Sequence, residues 1–445
     1  MTVSKKQRIQ RYIPQRLISW YHYSLAILGA FIFGYPSEKM IVIGVTGTSG
    51  KSTTVSVLAH LLSEAGHKSG YASTIGFKIG EDFKLNDRKM TMLGRFLTQR
   101  LLRKMFHDGC EYAIVETTSQ GMLQYRHRGI HYDLLLFTNL WPEHIDAHGS
   151  FEKYKHTKLE LFKYLANSKP KKLEGLNQPR VIVANTDNEY GSEFLNFKVD
   201  RRVGFGFEPE DIEGVEELQA KNKKLSEKGG FFELADHDFH SPLLGGHNLE
   251  NVLAAVVTGY ALGLTWEELQ EGVKTIKPIP GRLEFIDEGQ KFDVIVDYAF
   301  EPKAMASLYA TLKPCLSGRL IHVLGATGGG RDVSRRQILG EMAGKMAEIV
   351  ITTNEDPYDD DPYEIMEAVA EGALSSGKIL DQNLFKVLDR RHAISMALSL
   401  AQEGDTILIT GKGSEQAMAV PGGRLLFWDD RGVVRDELRK MKNNA

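Results

Sequence analysis

Apolar residues follow two alternating patterns along the chain. Short, nearly unbroken apolar runs, among them residues 40–45, "EYAIVE" (111–116), "YDLLLFTNL" (132–140) and "RVIVAN" (180–185), have the composition of buried strands. Between them, residues 52–62, 151–165 and 245–264 repeat their apolar positions with helical periodicity. Strand followed by helix, again and again, predicts a parallel sheet covered by helices. Residues 203–242, rich in Gly, Glu and Lys, read as edge strands and turns. In "KPIPGRLEF" (277–285) two prolines and a glycine interrupt the pattern, which marks a hinge. A second alternating set follows: "FDVIVDYA" (292–299), "GRLIHVLGA" (318–326), "AEIVITTN" (347–354), "DTILITGKG" (405–413) and "RLLFWDD" (424–430).

The first strand runs into "GVTGTSGKST" (44–53), which departs from the strict phosphate-loop spelling because Val45 stands where that spelling has Gly. The physical context survives the departure. A turn with Gly47 and Gly50 lets backbone N–H groups face one point, the helix start adds partial positive charge, and Lys51 adds a full one. Ser52 and Thr53 then offer hydroxyls to a magnesium ion. An ordinary strand-to-helix turn with a surface lysine is the competing reading, and the strand, loop and helix order favours the nucleotide site. The fold expectation is α/β: a short apolar helical segment over 1–39, a P-loop central domain with a mostly parallel sheet over 40–279, and a C-terminal Rossmann-like, doubly wound α/β domain over 280–445.

Charge and cysteine content narrow the partners. Lys plus Arg number 55 against 58 Asp plus Glu, a net charge of -3, which argues for small-molecule partners and against nucleic acid. Cys110 and Cys315 are the only cysteines, without metal-like spacing, which fits a reducing compartment and a cytoplasmic protein. Residues 17–37 lack Asp, Glu, Lys and Arg and follow Lys5, Lys6, Arg8, Arg11 and Arg16, so this segment is long enough to consider as a membrane span. A span would leave the basic flank in the cytoplasm and carry the phosphate loop to the side without ATP. A helix packed on the protein is therefore expected, with an interfacial membrane helix over residues 17–35 as the alternative.

Polar residues at strand ends supply the remaining chemistry. Glu116 ends one strand, and His144 and Asp146 lie just beyond another. Near a phosphate loop, carboxylate and imidazole can hold a metal, although His is an unusual ligand for magnesium. Periodicity makes Lys153, Lys155 and Lys158 one solvated basic face. Asn248 and Asn251 are either base-edge contacts or helix caps. Arg331, Arg335 and Arg336 follow a glycine-rich "GATGGG" as a candidate anion cradle, and "TNEDPYDDDP" reads as a surface loop unless a substrate amine needs its carboxylates.

These motifs, in this order, resemble the Mur ligases, most closely the UDP-N-acetylmuramyl-tripeptide synthetase (MurE) type. The resemblance rests on "TGTSGKST" for the family's TGTNGKTT, "FTNLWPEHIDAHG", "YKHTKLELF", "GGHNLENVLAA", "PGRLE", "VDYA", "GGGRDVSRR", "EDPY", "DRR" and "GKGSE". It implies an ATP-dependent, amide-forming ligase of peptidoglycan precursor synthesis that works through an acyl phosphate. Its substrates would be ATP with Mg2+, an amino acid, and a nucleotide-sugar or lipid-linked peptide acceptor; a monomer is expected. The implied roles place Thr48, Gly50, Lys51, Ser52 and Thr53 on the ATP phosphates and Ser52, Glu116, His144 and Lys158 around magnesium. Lys158 would carry a carbamate. Asn248, Asn251, Arg282 and Asp297 would bind the nucleotide, and Thr91, Thr118 and Ser119 the substrate. Arg331, Asp356, Tyr358, Gly411 and Glu415 would face the incoming amino acid.

The chain departs from the family at several points. About 39 residues precede the phosphate-loop strand, too few for the family's independent UDP-binding domain. Glu355-Asp356-Pro357-Tyr358 replaces the DNPR of the diaminopimelate-adding enzymes, which removes an arginine suited to a carboxylate. Gln120, Phe300 and Ser414 stand where the family has histidines. Alternative readings are a folylpolyglutamate-synthase-like or MurT-like ligase acting on a non-UDP substrate, and a non-catalytic binding protein of this fold.

Overall fold

The computed structural model describes residues 14–142, 149–330 and 333–444. The apolar runs of the first half form a nine-stranded sheet in the order Glu216–Gln219, Arg201–Gly206, Val181–Asn185, Leu134–Phe137, Ile41–Thr46, Tyr112–Glu116, Ser69–Ala72, Gly76–Ile79, Asp82–Leu85. Pairing is parallel from Glu216–Gln219 through Ser69–Ala72, and an antiparallel hairpin extends the far edge. Both faces are buried, which is why these strands read as apolar runs rather than alternations.

The strand pleat sends Ile43 and Val45 to one face, under helices α2 (Lys51–Glu64) and α5 (Gly246–Ala261). Val42 goes to the other, under α3 (Arg95–His107) and α4 (Phe151–Ala166). Residues 203–242 divide between this sheet and a separate three-stranded antiparallel sheet of Lys221–Ser226, Gly229–Leu234 and His237–Ser241.

The second half forms a six-stranded sheet in the order Glu284–Phe285, Asp293–Val296, Thr406–Ile409, Leu320–Leu324, Ile349–Thr352, Leu384–Lys386, parallel except for the first pair. One expected member is elsewhere. Arg424–Phe427 pairs antiparallel with Ala417–Val420 in a two-stranded ribbon, and Phe427 is 82% exposed. Leu384–Lys386 takes the edge position instead. An apolar run specifies a strand but not its partner, and three residues are too few to register as a run.

Between the sheets, Gly281 has φ +62°, and a Cβ there would lie 2.1 Å from the Ser414 backbone nitrogen. The hinge glycine thus allows the connecting segment to press on the 413–414 turn. At the other end of the chain, helix α1 (Gln15–Ile32) lies against α3, its Ala26 and Ala30 fully buried.

Candidate active site

The strand Ile41–Thr46 lies between Tyr112–Glu116 and Leu134–Phe137, so Thr46, Glu116 and Thr138 converge at the carboxyl ends of the parallel strands, where such sheets bind ligands. The loop that follows is braced from the neighbouring strand: Thr48 N donates to Asn139 O at 2.9 Å and Ser49 N to Asn139 Oδ1 at 2.9 Å. Gly50, at φ +80°, begins α2. Lys51 Nζ donates to the carbonyls of Gly47 and Thr48 at 3.0 and 2.8 Å, which keeps its ammonium over the loop.

Ser52 Oγ donates to Glu116 Oε2 at 2.8 Å, and the same carboxylate accepts from Thr74 N at 2.8 Å. Thr74 Oγ1 lies 2.8 Å from Thr91 Oγ1, which brings Thr91 within one side chain of Glu116. Thr53 and Ser119 are buried beside these residues in sequence, and Thr118 Oγ1 accepts from Gly121 N at 3.1 Å to start a helical turn.

Lys158 leaves the solvated face that periodicity assigned to it. It is 2% exposed on α4, its Nζ donates to Gly47 O at 2.8 Å, and it lies 4.8 Å from the Tyr154 ring centre. Lys153 is exposed and Lys155 pairs with Glu193 at 3.0 Å. Helical spacing cannot distinguish a lysine facing the loop from its solvated neighbours, because the loop comes from a distant part of the chain.

The capping alternative for the asparagines also fails. Gly245 is the N-cap of α5, and both side chains are buried. Asn251 Oδ1 lies where a Cβ on Gly50 would sit, 2.1 Å away, and Asn251 Nδ2 reaches Asn248 Oδ1 at 3.4 Å. Arg282 stacks on the Tyr298 ring at 4.2 Å, its Nε buried without a hydrogen-bond partner among the described residues. Asp297 accepts from Leu283 N at 2.7 Å and Ala299 N at 2.6 Å, which ties the hinge to the second sheet.

The expected surface loop at 353–362 is buried where it matters. Glu355 and Asp356 are both inside. Lys412 Nζ donates to Glu415 Oε2 at 2.6 Å and to Asp356 Oδ2 at 3.0 Å. Burial works against the Lys412 charge, but Glu415 and Asp356 outweigh it and hold its pKa above the ordinary lysine value. Glu355 has the opposite balance: burial, then Asp356, push its carboxyl up to about 7. Its Oε2 has no hydrogen-bond partner among the described residues and fills the space a side chain at Gly411 would need. A cation supplied by the first half completes the cluster. Lys89 pairs with Asp356, lies 3.2 Å from Glu415, and sits 5.7 Å from the Tyr358 ring centre. His144 and Arg331 lie outside the described residues.

Two families match the chain: the Mur ligase middle domain over residues 45–259, and the Mur ligase glutamate ligase domain over residues 281–413. The UDP-N-acetylmuramoyl-L-alanyl-D-glutamate–2,6-diaminopimelate ligase of Bacillus cereus is 32% identical over 97% of this chain and 85% of its own length. The chain is a Mur ligase. A UDP-N-acetylmuramyl-tripeptide synthetase of Roseiflexus is also 32% identical, over 94% of this chain and 82% of its own. A solved diaminopimelate ligase superposes with TM-score 0.58 at 27% identity, covering 91% of this chain and 79% of its own. As a Mur ligase it is an ATP-dependent enzyme that forms amide bonds.

In this Mur ligase three basic residues of the site escaped sequence reading. Lys89 sits in a loop without periodicity. Arg126 bonds the Met92 carbonyl next to Thr91, and Arg95 bonds the Gln124 carbonyl. Burial, then the Arg95 charge, lower the Arg126 pKa. A cluster of basic residues around "GRFLTQR" and "QYRHR" was the available signal, and it is indistinguishable from surface charge until the fold buries part of it.

Proposed function

We propose that this Mur ligase joins an amino acid with a terminal side-chain ammonium to the carboxylate of a muramyl-peptide acceptor, as its diaminopimelate-ligase and tripeptide-synthetase relatives do with theirs. The 2.8 Å contact of Ser52 with Glu116, beside Lys51 and the buried Lys158, carries this reading. Ser52 and Glu116, one hydroxyl and one carboxylate, would suit magnesium, a hard cation that prefers oxygen ligands. When bound there, magnesium offsets charge on the ATP phosphates.

Lys51 and the loop N–H groups hold the γ-phosphate while the acceptor carboxylate attacks it, releasing ADP and leaving an acyl phosphate. Arg126, bonded to the Met92 carbonyl next to Thr91, and Arg95, bonded to the Gln124 carbonyl, orient the anionic acceptor in this reading. Lys158, if its neutral amine took up CO2 with loss of a proton, would change from cation to anion next to Gly47 and could then help to hold magnesium. Asn248, Asn251, Arg282 and Asp297 line the nucleotide side. The neutral amine of the amino acid then attacks the acyl carbon, and the tetrahedral intermediate expels phosphate. Contact between the two halves keeps water from hydrolysing the acyl phosphate first.

The amino-acid class follows from Lys89. Asp356 and Glu415 hold an ammonium beside the Tyr358 ring, and Tyr358 stands where diaminopimelate-adding enzymes have an arginine for a second carboxylate. Lysine-like and ornithine-like substrates fit this site better than diaminopimelate. Use of ATP suits a cytoplasmic reaction. The test is phosphate release from ATP with UDP-linked and lipid-linked muramyl dipeptides crossed with single amino acids. Release requiring one acceptor and a basic amino acid supports the proposal. Release with diaminopimelate in preference to lysine overturns the amino-acid assignment, and tight ATP binding without turnover on any pair overturns the ligase assignment.

A further inference from the structure

Helix α1 is packed with its sides reversed relative to an ordinary surface helix. Its small residues face the protein: a Cβ on Gly29 would lie 3.6 Å from Arg95 O, and one on Gly129 would lie 2.8 Å from the Ala30 Cβ. Its large apolar residues face outward. Leu17, Trp20, Tyr21, Leu28, Phe31 and Ile32 follow helical spacing along one stripe, with Trp20 70% and Phe31 66% exposed. An exposed apolar stripe of this length calls for an occupant.

The charge around the stripe identifies it. The chain carries net charge -3, yet its first acidic residue is Glu38, and Lys5, Lys6, Arg8, Arg11 and Arg16 all precede it. Beside α1, α3 contains no Asp or Glu and exposes Arg100, Arg103 and Lys104. Aromatic and aliphatic side chains bordered by basic residues match the interface of an anionic bilayer, where rings sit at headgroup level and cations meet lipid phosphates. Among the described residues no helix is long and apolar enough to cross a membrane, so the contact lies in the membrane plane.

We propose that α1 docks this Mur ligase on an anionic phospholipid surface. The opposite side of α1 joins it to the protein. The Tyr23 ring meets Tyr125 edge-on at 6.3 Å, Arg128 lies 5.7 Å from the Tyr23 ring centre, and Arg126 stands between these two residues in sequence. The docking itself does not depend on which acceptor is used.

The test is flotation of the full chain with vesicles of phosphatidylcholine alone or mixed with phosphatidylglycerol, for the wild type and for Trp20→Glu/Phe31→Glu. Both positions are exposed and belong to none of the contacts described around the phosphate loop, so ATP-dependent turnover on a soluble acceptor serves as the folding control. The wild type is expected to float with the anionic vesicles roughly tenfold more than with phosphatidylcholine or than the variant, and to be released by high salt. Equal recovery of wild type and variant at the bottom of the gradient overturns the proposal. So does a wild-type dimer that the double substitution converts to a monomer while neither floats, because the occupant is then a second copy of the chain.

Discussion

Lys158 shows how much one side chain's surroundings decide. The same ammonium is solvated at Lys153 and buried against the phosphate loop at Lys158, five residues on. Lys158→Ala is expected to lower turnover by roughly a hundredfold or more, with ATP binding largely kept. Recovery on adding a short-chain carboxylic acid, measured by phosphate release, supports the carbamate, and turnover like wild type removes the residue from the mechanism. Glu355 gives a prediction about stability. Its folded pKa of about 7 lies above the ordinary carboxylate value, so the folded state favours the protonated form. That contribution is complete below the unfolded pKa and is lost as pH rises through about 7. Glu355→Gln cannot ionise and is expected to gain about 2 to 3 kcal/mol on the wild type between pH 5 and pH 8 in urea unfolding. A difference independent of pH would show that Glu355 does not titrate in this range.

At the scale of elements, the strand, loop and helix of residues 41–64 act as one unit, and α5 closes it from a distant part of the chain. Gly50 is held to glycine twice, by its φ of +80° and by Asn251 Oδ1, 2.1 Å from where a Cβ would sit. Gly50→Ala is expected to cost about 1 to 2 kcal/mol of stability and to weaken ATP binding roughly tenfold in calorimetry. Adding Asn251→Ala removes the clash but not the backbone strain, so the double variant should regain part of the stability and none of the contact to the nucleotide. Full recovery of ATP affinity would show that Asn251 only packs. The glycine pattern and the helix after it were legible because both are local. The position of Asn251 was not, since Gly50 and α5 come from distant parts of the chain and meet only when both helices pack on one face of the sheet.

Across the whole molecule, the two sheets meet at charged contacts as well as at the hinge. Lys89 from the first half enters the Asp356 and Glu415 cluster of the second, where burial lowers its pKa against the pull of those carboxylates. Under the proposed function this cluster receives the amino acid, and an internal ammonium there would compete with the substrate and raise its apparent KM by the fraction of time it occupies the site. Lys89→Met is expected to lower the KM for the amino acid by roughly threefold to tenfold, with the KM for ATP unchanged. A higher KM would make Lys89 part of the substrate site instead. Local order in the chain was sufficient to determine the α/β class, the strand, glycine turn and helix of residues 41–64 and the run of motifs shared with Mur ligases, because strand and helix periodicity and glycine turns are set by near neighbours. Tertiary structure alone decided which lysine faces the loop, that Glu355 and Asp356 are buried, that Arg424–Phe427 leaves the sheet, and that α1 turns its aromatic residues outward. Each of these depends on burial and charge pairing between residues far apart in sequence, which periodicity does not encode.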